Sequence, residues 1–235
     1  MPVTLDVAAA GGYDAGSSSP TFANFMTIGA NANRALYVFV GTNDGSSAIP
    51  SAVSWNGVAL TKIAECTTTG DQGMSLWRLI NPDSGLRDLV VSSSLSGPAF
   101  VVIAASLYGV NQTTPEGAAS TNTNTSTSVS VAPTGTSDGY PLGCVIYWEN
   151  GGNPTFTSGG GQTRLITSSA VAGGSYRGAL DTETPVAGAQ SLSFTMGGSA
   201  YASEMIGVGV RAAAGGAAAS RPPYNQPRRF VSARR

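Results

Sequence analysis

Ala35-Leu-Tyr-Val-Phe-Val40 is an unbroken apolar run, the pattern of a strand buried on both faces or lying at the centre of a sandwich. Phe100-Val-Val-Ile-Ala-Ala-Ser-Leu-Tyr108 repeats it, and Leu142-Gly-Cys-Val-Ile-Tyr-Trp148 comes close to a third copy. Shorter strand patterns fill the intervals: Met74 to Ile80, Leu89 to Ser93, Gln162 to Thr167, Tyr176 to Leu180, Gln190 to Met196 and Ala202 to Arg211. Ala52 to Ile63 reads as two short strands around Asn56-Gly57, the strongest two-residue hairpin signal. Asn81-Pro-Asp-Ser-Gly85 closes another strand. Short apolar stretches alternating with turn residues predict an all-β chain, a jelly-roll-like antiparallel β-sandwich, and argue against βαβ units. No fixed-period repeat is visible, which weighs against a propeller or solenoid.

The tract Ala118-Ala-Ser-Thr-Asn-Thr-Asn-Thr-Ser-Thr-Ser-Val-Ser-Val-Ala132 reads either as a linker between two domains or as a loop followed by an edge strand. The clean alternation of Thr127-Ser-Val-Ser-Val131 favours the strand, and with it one domain over residues 1–211. An Ala/Gly/Ser linker follows at 212–220. Residues 221–235 then form an arm containing five of the chain's twelve basic residues, three prolines and no acid. The remainder has seven basic against thirteen acidic residues, a net −6. An arm of that composition has no core to bury and is expected to touch something else.

Only 11% of the residues are charged, and Lys62 is the single lysine. The surface is therefore expected to be hydroxyl, amide and backbone, suited to packing against other subunits, and a homo-oligomer is expected. No run of eighteen apolar residues occurs, so no membrane span is expected. Met1-Pro-Val-Thr-Leu-Asp6 lacks the basic-then-apolar pattern of a secretory signal, which predicts a protein made and kept in the cytoplasm unless a leader was removed or it leaves by cell lysis. Cys66 and Cys144 are too few for a disulfide framework and read as two separate thiols, or as one bridge if two strands bring them face to face.

Histidine is absent, which excludes Ser-His-Asp, Cys-His and His-metal machinery. Hydrolysis would have to rest on paired carboxylates, for which Glu149, Asp181, Glu183 and Glu204 are the candidates on strands, and their spacing supports no enzyme. Gly159-Gly-Gly161 lacks the Lys-Ser/Thr of a phosphate loop and reads as a turn. Asn43-Asp44-Gly45 and Asp71-Gln72-Gly73 fall short of a calcium loop and also read as turns. No metal or cofactor is expected. Trp55, Tyr147 and Trp148 would form a carbohydrate-stacking surface if they shared an exposed face, although aromatic residues flanked by apolar strand positions are more often core.

Asn33-Arg-Ala-Leu-Tyr-Val-Phe-Val40, Val53-Ser-Trp-Asn-Gly-Val-Ala-Leu-Thr-Lys62, Ser75-Leu-Trp-Arg-Leu-Ile-Asn-Pro82 with Gly85, and Ser106-Leu-Tyr-Gly-Val-Asn-Gln-Thr-Thr-Pro115 together have the cadence of a known group. This pattern resembles β-sandwich modules of bacteriophage virion structural proteins, which also occur in bacterial surface proteins. The resemblance spans residues 20 to 211, implies a sandwich without a catalytic signature, and points to a component of the virion. Residues 221–235 lie outside it. In the arm, Arg221, Arg228, Arg229, Arg234 and Arg235 offer paired polar contacts, while Tyr224 and Phe230 are the aromatic anchors that interfaces favour. Proline lowers the entropy lost on ordering, so protein docking is expected over nucleic-acid binding. The resulting expectation is a non-enzymatic capsid decoration (cement) protein, its arm gripping the major capsid protein or another virion protein. The alternative is a glycan-binding module of a tail fibre or adhesin.

Overall fold

Strand β4 (Ala35–Asn43) is apolar on both sides because both of its sides are buried. Leu36, Val38 and Val40 point into one apolar interior, and Ala35, Tyr37 and Phe39 into another. The computed structural model describes residues 1–43, 49–68, 72–94, 97–148, 155–169, 176–197 and 202–214. The arm and linker residues 215–220 lie outside these. All pairings among the described strands are antiparallel, and no helix occurs among the described residues.

The first half of the chain carries β1 (Thr4–Leu5), β2 (Ala10–Ala15), β3 (Thr21–Ile28), β4, β5 (Ala52–Trp55), β6 (Val58–Ala59), β7 (Thr61–Thr67), β8 (Gln72–Ile80), β9 (Gly85–Ser92) and β10 (Ala99–Tyr108). One sheet runs β2-β10-β4-β8-β7, with β1 beside β2 on the same edge of β10. A second sheet runs β3-β9-β5-β6. This alternation of consecutive strands between two sheets is jelly-roll order. Asn56 and Gly57, at φ 48° and 79°, make the hairpin between β5 and β6. The strand expected to run on to Ile63 instead divides at Leu60, which is buried between the sheets. The chain leaves one sheet as β6 and enters the other as β7.

The second half repeats the plan. It carries β11 (Ser120–Asn124), β12 (Ser128–Val131), β13 (Thr134–Gly135), β14 (Tyr140–Trp148), β15 (Thr155–Ser158), β16 (Gln162–Ser169), β17 (Tyr176–Glu183), β18 (Gly188–Ala189), β19 (Leu192–Gly197) and β20 (Ala202–Val210). Its larger sheet, β11-β20-β14-β17-β16, matches β2-β10-β4-β8-β7 strand for strand, and β12-β19-β15 matches β3-β9-β5. A bulge marks the same place in both. The register shifts between Lys62 and Ala64 in Thr61-Lys-Ile-Ala64, and between Arg164 and Ile166 in Thr163-Arg-Leu-Ile166. The chain is thus a duplicated jelly roll, a repeat not visible from periodicity because the two copies share strand order and little else. The Ser/Thr/Asn tract supplies two strands, β11 as well as the expected edge strand β12.

The two lobes stack through their larger sheets, so the four sheets of three or more strands lie in layers, and β13 pairs with β18 in a separate two-stranded sheet. Leu36, Trp55, Trp77 and Phe100 belong to the interior of the first lobe, and Val145, Tyr147, Phe194 and Met205 to that of the second. Between the lobes, Tyr37, Phe39, Leu76, Val101 and Ile103 meet Leu142, Cys144, Ile146, Leu180 and Ile206. The contacts are reciprocal: β2 lies against β16 and β7 against β11, while β10 lies against β17 and β8 against β20. Reciprocity of equivalent strands defines an isologous, two-fold-related interface, here built within a single chain. The sequence reads as a single sandwich over residues 1–211, whereas the described residues form two, which share this interior.

Two glycines allow the close approach. A Cβ on Gly41 would lie 2.7 Å from both Ile146 Cγ2 and the Tyr176 hydroxyl, and one on Gly178 would lie 2.7 Å from Ile146 Cδ1. Gly41→Val should therefore overpack the joint and destabilise the protein by about 1–3 kcal/mol. Urea denaturation followed by tryptophan fluorescence measures this, and an unchanged midpoint would show that the joint yields freely.

Candidate functional site

The last described residues are tied to the segment connecting the lobes. The Ala213 N–H donates to the Gly109 carbonyl at 2.7 Å, the Asn111 N–H to Arg211 at 2.9 Å, and the Arg211 N–H to Pro115 at 2.8 Å. Val110 and Ala212 form an isolated antiparallel bridge. Ala212 and Ala213, expected as the start of a free linker, are thus part of the body. The docking residues expected in the arm, Arg221, Tyr224, Arg228, Arg229, Phe230, Arg234 and Arg235, lie outside the described residues.

The aromatic residues expected as a glycan surface do not form one. Trp55 is 1% exposed and packed inside the first lobe, and Tyr147 is fully buried inside the second. Strand alternation turns both rings inward, where burial of their large apolar area stabilises each core. Trp148 occupies the last position of β14, paired along the backbone with Tyr176 and Ala202.

The strand carboxylates are separated by the sheet that carries them. Leu180 and Cys144 are cross-strand partners facing the lobe joint, so Asp181, the next residue, faces the interior of the second lobe. Glu204 is the cross-strand partner of Ile146 and faces the joint. The two carboxylates thus point to opposite faces of one sheet. Asp181 is wholly buried and held by Arg164 Nε, with Gln162 Nε2 donating at 3.2 Å. Glu183, two residues on, is partly exposed at the strand end, and burial raises its carboxyl above the usual range. Glu149 lies outside the described residues. Among the described residues, no group of three or more Cys, Asp or Glu side chains could hold a metal ion.

No protein-family model and no curated protein matches this sequence.

The polar groups that the body does bury are structural ties. Arg164 bridges both sheets of the second lobe: besides Asp181, it donates to Thr167 Oγ1 at 2.9 Å, to the Phe156 carbonyl at 3.3 Å and to Ser158 Oγ at 3.1 Å. The last two bonds cap the outer edge of β15, which has no β6 equivalent because Gly159-Gly160-Gly161 turns the chain away. Its guanidinium also lies 5.4 Å from the centre of the Phe194 ring. In the first lobe the matching residue, Lys62, sits over Trp77 at 5.9 Å. A second tie joins Arg78 to Glu116 of the connector, with the Tyr37 hydroxyl donating to Glu116 at 3.2 Å. Burial, then the Glu116 carboxylate, pushes the Tyr37 phenol well above its ordinary value. Cys66 and Cys144 are both free thiols. Burial raises Cys144, and it pushes Cys66 up to about 12, with the Glu204 carboxylate as the next cause.

Glu204 was identifiable only as one of four scattered carboxylates. Its i, i+2 relation to Ile206, Val208 and Val210 is the signal that places it on their buried face.

Removing Arg164 would strand the Asp181 carboxylate without its cation. Arg164→Ala is expected to destabilise the protein by about 3–5 kcal/mol. Guanidinium denaturation reads this directly, and a loss below 1 kcal/mol would show that water replaces the guanidinium.

Proposed function

We propose that this protein is a non-enzymatic structural component of a bacteriophage particle, a capsid decoration (cement) protein whose body sits on the shell and whose arm at 221–235 grips the major capsid protein or another virion protein. The observation that carries the reading is the contrast between the two parts. Asp181 and Glu116 are tied to arginines, and Asp181 and Glu204 are turned to opposite faces of a sheet, which leaves little apparatus for turnover. The arm, by contrast, concentrates arginines, prolines and two aromatic residues after a root hydrogen-bonded to the lobe connector.

Reach supports the same reading. The twenty-one residues after Ala214 span at most about 70 Å when fully extended. A body of this size has a radius of gyration of about 17 Å. A chain of that length, fully extended, is long enough to reach past such a body to an adjacent subunit. Five arginines interrupted by three prolines supply only a modest salt-dependent attraction to nucleic acid. Tyr224 and Phe230 supply the rigid apolar anchors of a protein interface.

The test is occupancy. Particles stripped of this chain are incubated with the full-length protein or with a version ending at Ser220, and bound copies are counted by quantitative mass spectrometry. The full-length protein should bind in hundreds of copies per particle. The shortened one should bind in few or none while keeping the circular dichroism spectrum and melting midpoint of the intact body. Full occupancy without the arm would remove the arm from the mechanism. A copy number of a few per particle would move the protein from the shell to a fibre.

A further inference from the structure

Among the described residues, one fully buried carboxyl side chain, Glu204, lies in the apolar interior between the lobes. Superposing the two halves by strand order and register brings Ile206 onto Ile103 and Cys144 onto Phe39. It also brings Glu204, the partner of Ile146, onto Val101, the partner of Gly41. One lobe thus offers the joint a valine where the other offers a glutamate. Glu204 is fully buried. Its Oε1 accepts from the Thr68 hydroxyl of the opposite lobe at 2.7 Å, and its Oε2 has no hydrogen-bond partner. Beside it, the Cys66 thiol of β7 reaches the Met205 carbonyl at 3.9 Å.

Among the described residues, no cation is paired with this carboxyl. Strand β7 brings Cys66, with Lys62 and Glu65 paired to each other at the half-exposed rim. Strand β8 brings the buried Gln72 and Met74. The two strands flanking Glu204 in its own sheet place Thr123 and Ile146 opposite it. Burial disfavours a carboxylate in such a place and tolerates the neutral acid, while the Thr68 hydroxyl and the backbone of Thr68 and Glu204 offset part of that cost.

We infer that Glu204 makes the lobe joint an acid-locked contact, closed while the carboxyl is protonated and opened at the corner between β7 and β20 when it ionises. Opening admits water to Oε2 at the cost of the contacts around Cys66 and Thr68, while the interiors of the two lobes stay intact. Burial raises this carboxyl from its ordinary 4.5 to about 7. A group raised in the closed state stabilises that state fully below the ordinary value, and the stabilisation is lost as pH rises through the raised one. The joint is therefore tightest in mild acid and loosens through neutrality.

Hydrogen exchange read by mass spectrometry on the full chain tests this at pH 5.5 and 8.5, after correction for intrinsic rates. Protection of peptides covering 61–68 and 202–210 should fall about thirty-fold between the two conditions, from the two carboxyl values above. Peptides 85–92 and 192–197 of the outer sheets should stay unchanged. Glu204→Gln should abolish the difference. Glu204→Val, which copies the other lobe, provides the same reading if the glutamine variant folds poorly. A flat wild-type profile, an equal loss in the outer sheets, or an unaltered difference in both variants would overturn the inference.

Discussion

The burial of two sheets against each other governs the rest of this molecule. An ordinary sandwich buries one face of each sheet and leaves the other in water, so its strands alternate apolar and polar. Here the larger sheet of each lobe lies between its own small sheet and the other lobe. The central strands β4, β10, β14 and β20 must consequently be apolar at nearly every position. Full burial of a leucine- or phenylalanine-sized side chain contributes roughly 1.5–3 kcal/mol. The shared interior therefore adds to stability on a scale comparable with the interior of a lobe, and neither large sheet could be left exposed without presenting a wide apolar face.

That constraint explains which parts of the fold were legible. Ala35–Val40 reads as a strand buried on both faces or at the centre of a sandwich and Phe100–Tyr108 as another core strand, and Ala35 to Val40 and Phe100 to Leu107 are buried throughout. Asn56-Gly57 and Asn81 to Gly85 read as turns because left-handed backbone there selects Asn and Gly. The reason for double burial was not legible. A run of apolar residues cannot say whether its second face meets a sheet of its own lobe or of a twin. The twin itself is concealed because equivalent positions hold different chemistry: Phe39 against Cys144, Val101 against Glu204, and Trp77 against Asp181. What the copies preserve is pairing order and one bulge, which leave almost no trace in composition.

The candidate site divides along the same line. The inward turn of Trp55 and Tyr147 follows from strand parity with Val53 and Val145, so their removal from a binding surface was within reach of the pattern. Glu204 was legible in position and not in consequence. The alternation placed it on the face of Ile206 and Val208, but only the stacked lobes show that this face is enclosed. The departures from symmetry are where the polar chemistry lies: Lys62 over Trp77 in one lobe stands against Arg164 paired with Asp181 in the other, and a valine of the joint against a glutamate.

The two-fold relation also accounts for the root of the arm. The segments after β10 and β20 are equivalents, one leading into the second lobe and the other out of the body. They pair with each other: Val110 bridges Ala212, with Gly109 opposite Ala213 and Asn111 opposite Arg211. Antiparallel pairing of two equivalent segments is what a two-fold axis produces when it passes between them. The last described residues therefore lie at the internal axis, on the same stitch that holds the lobes together.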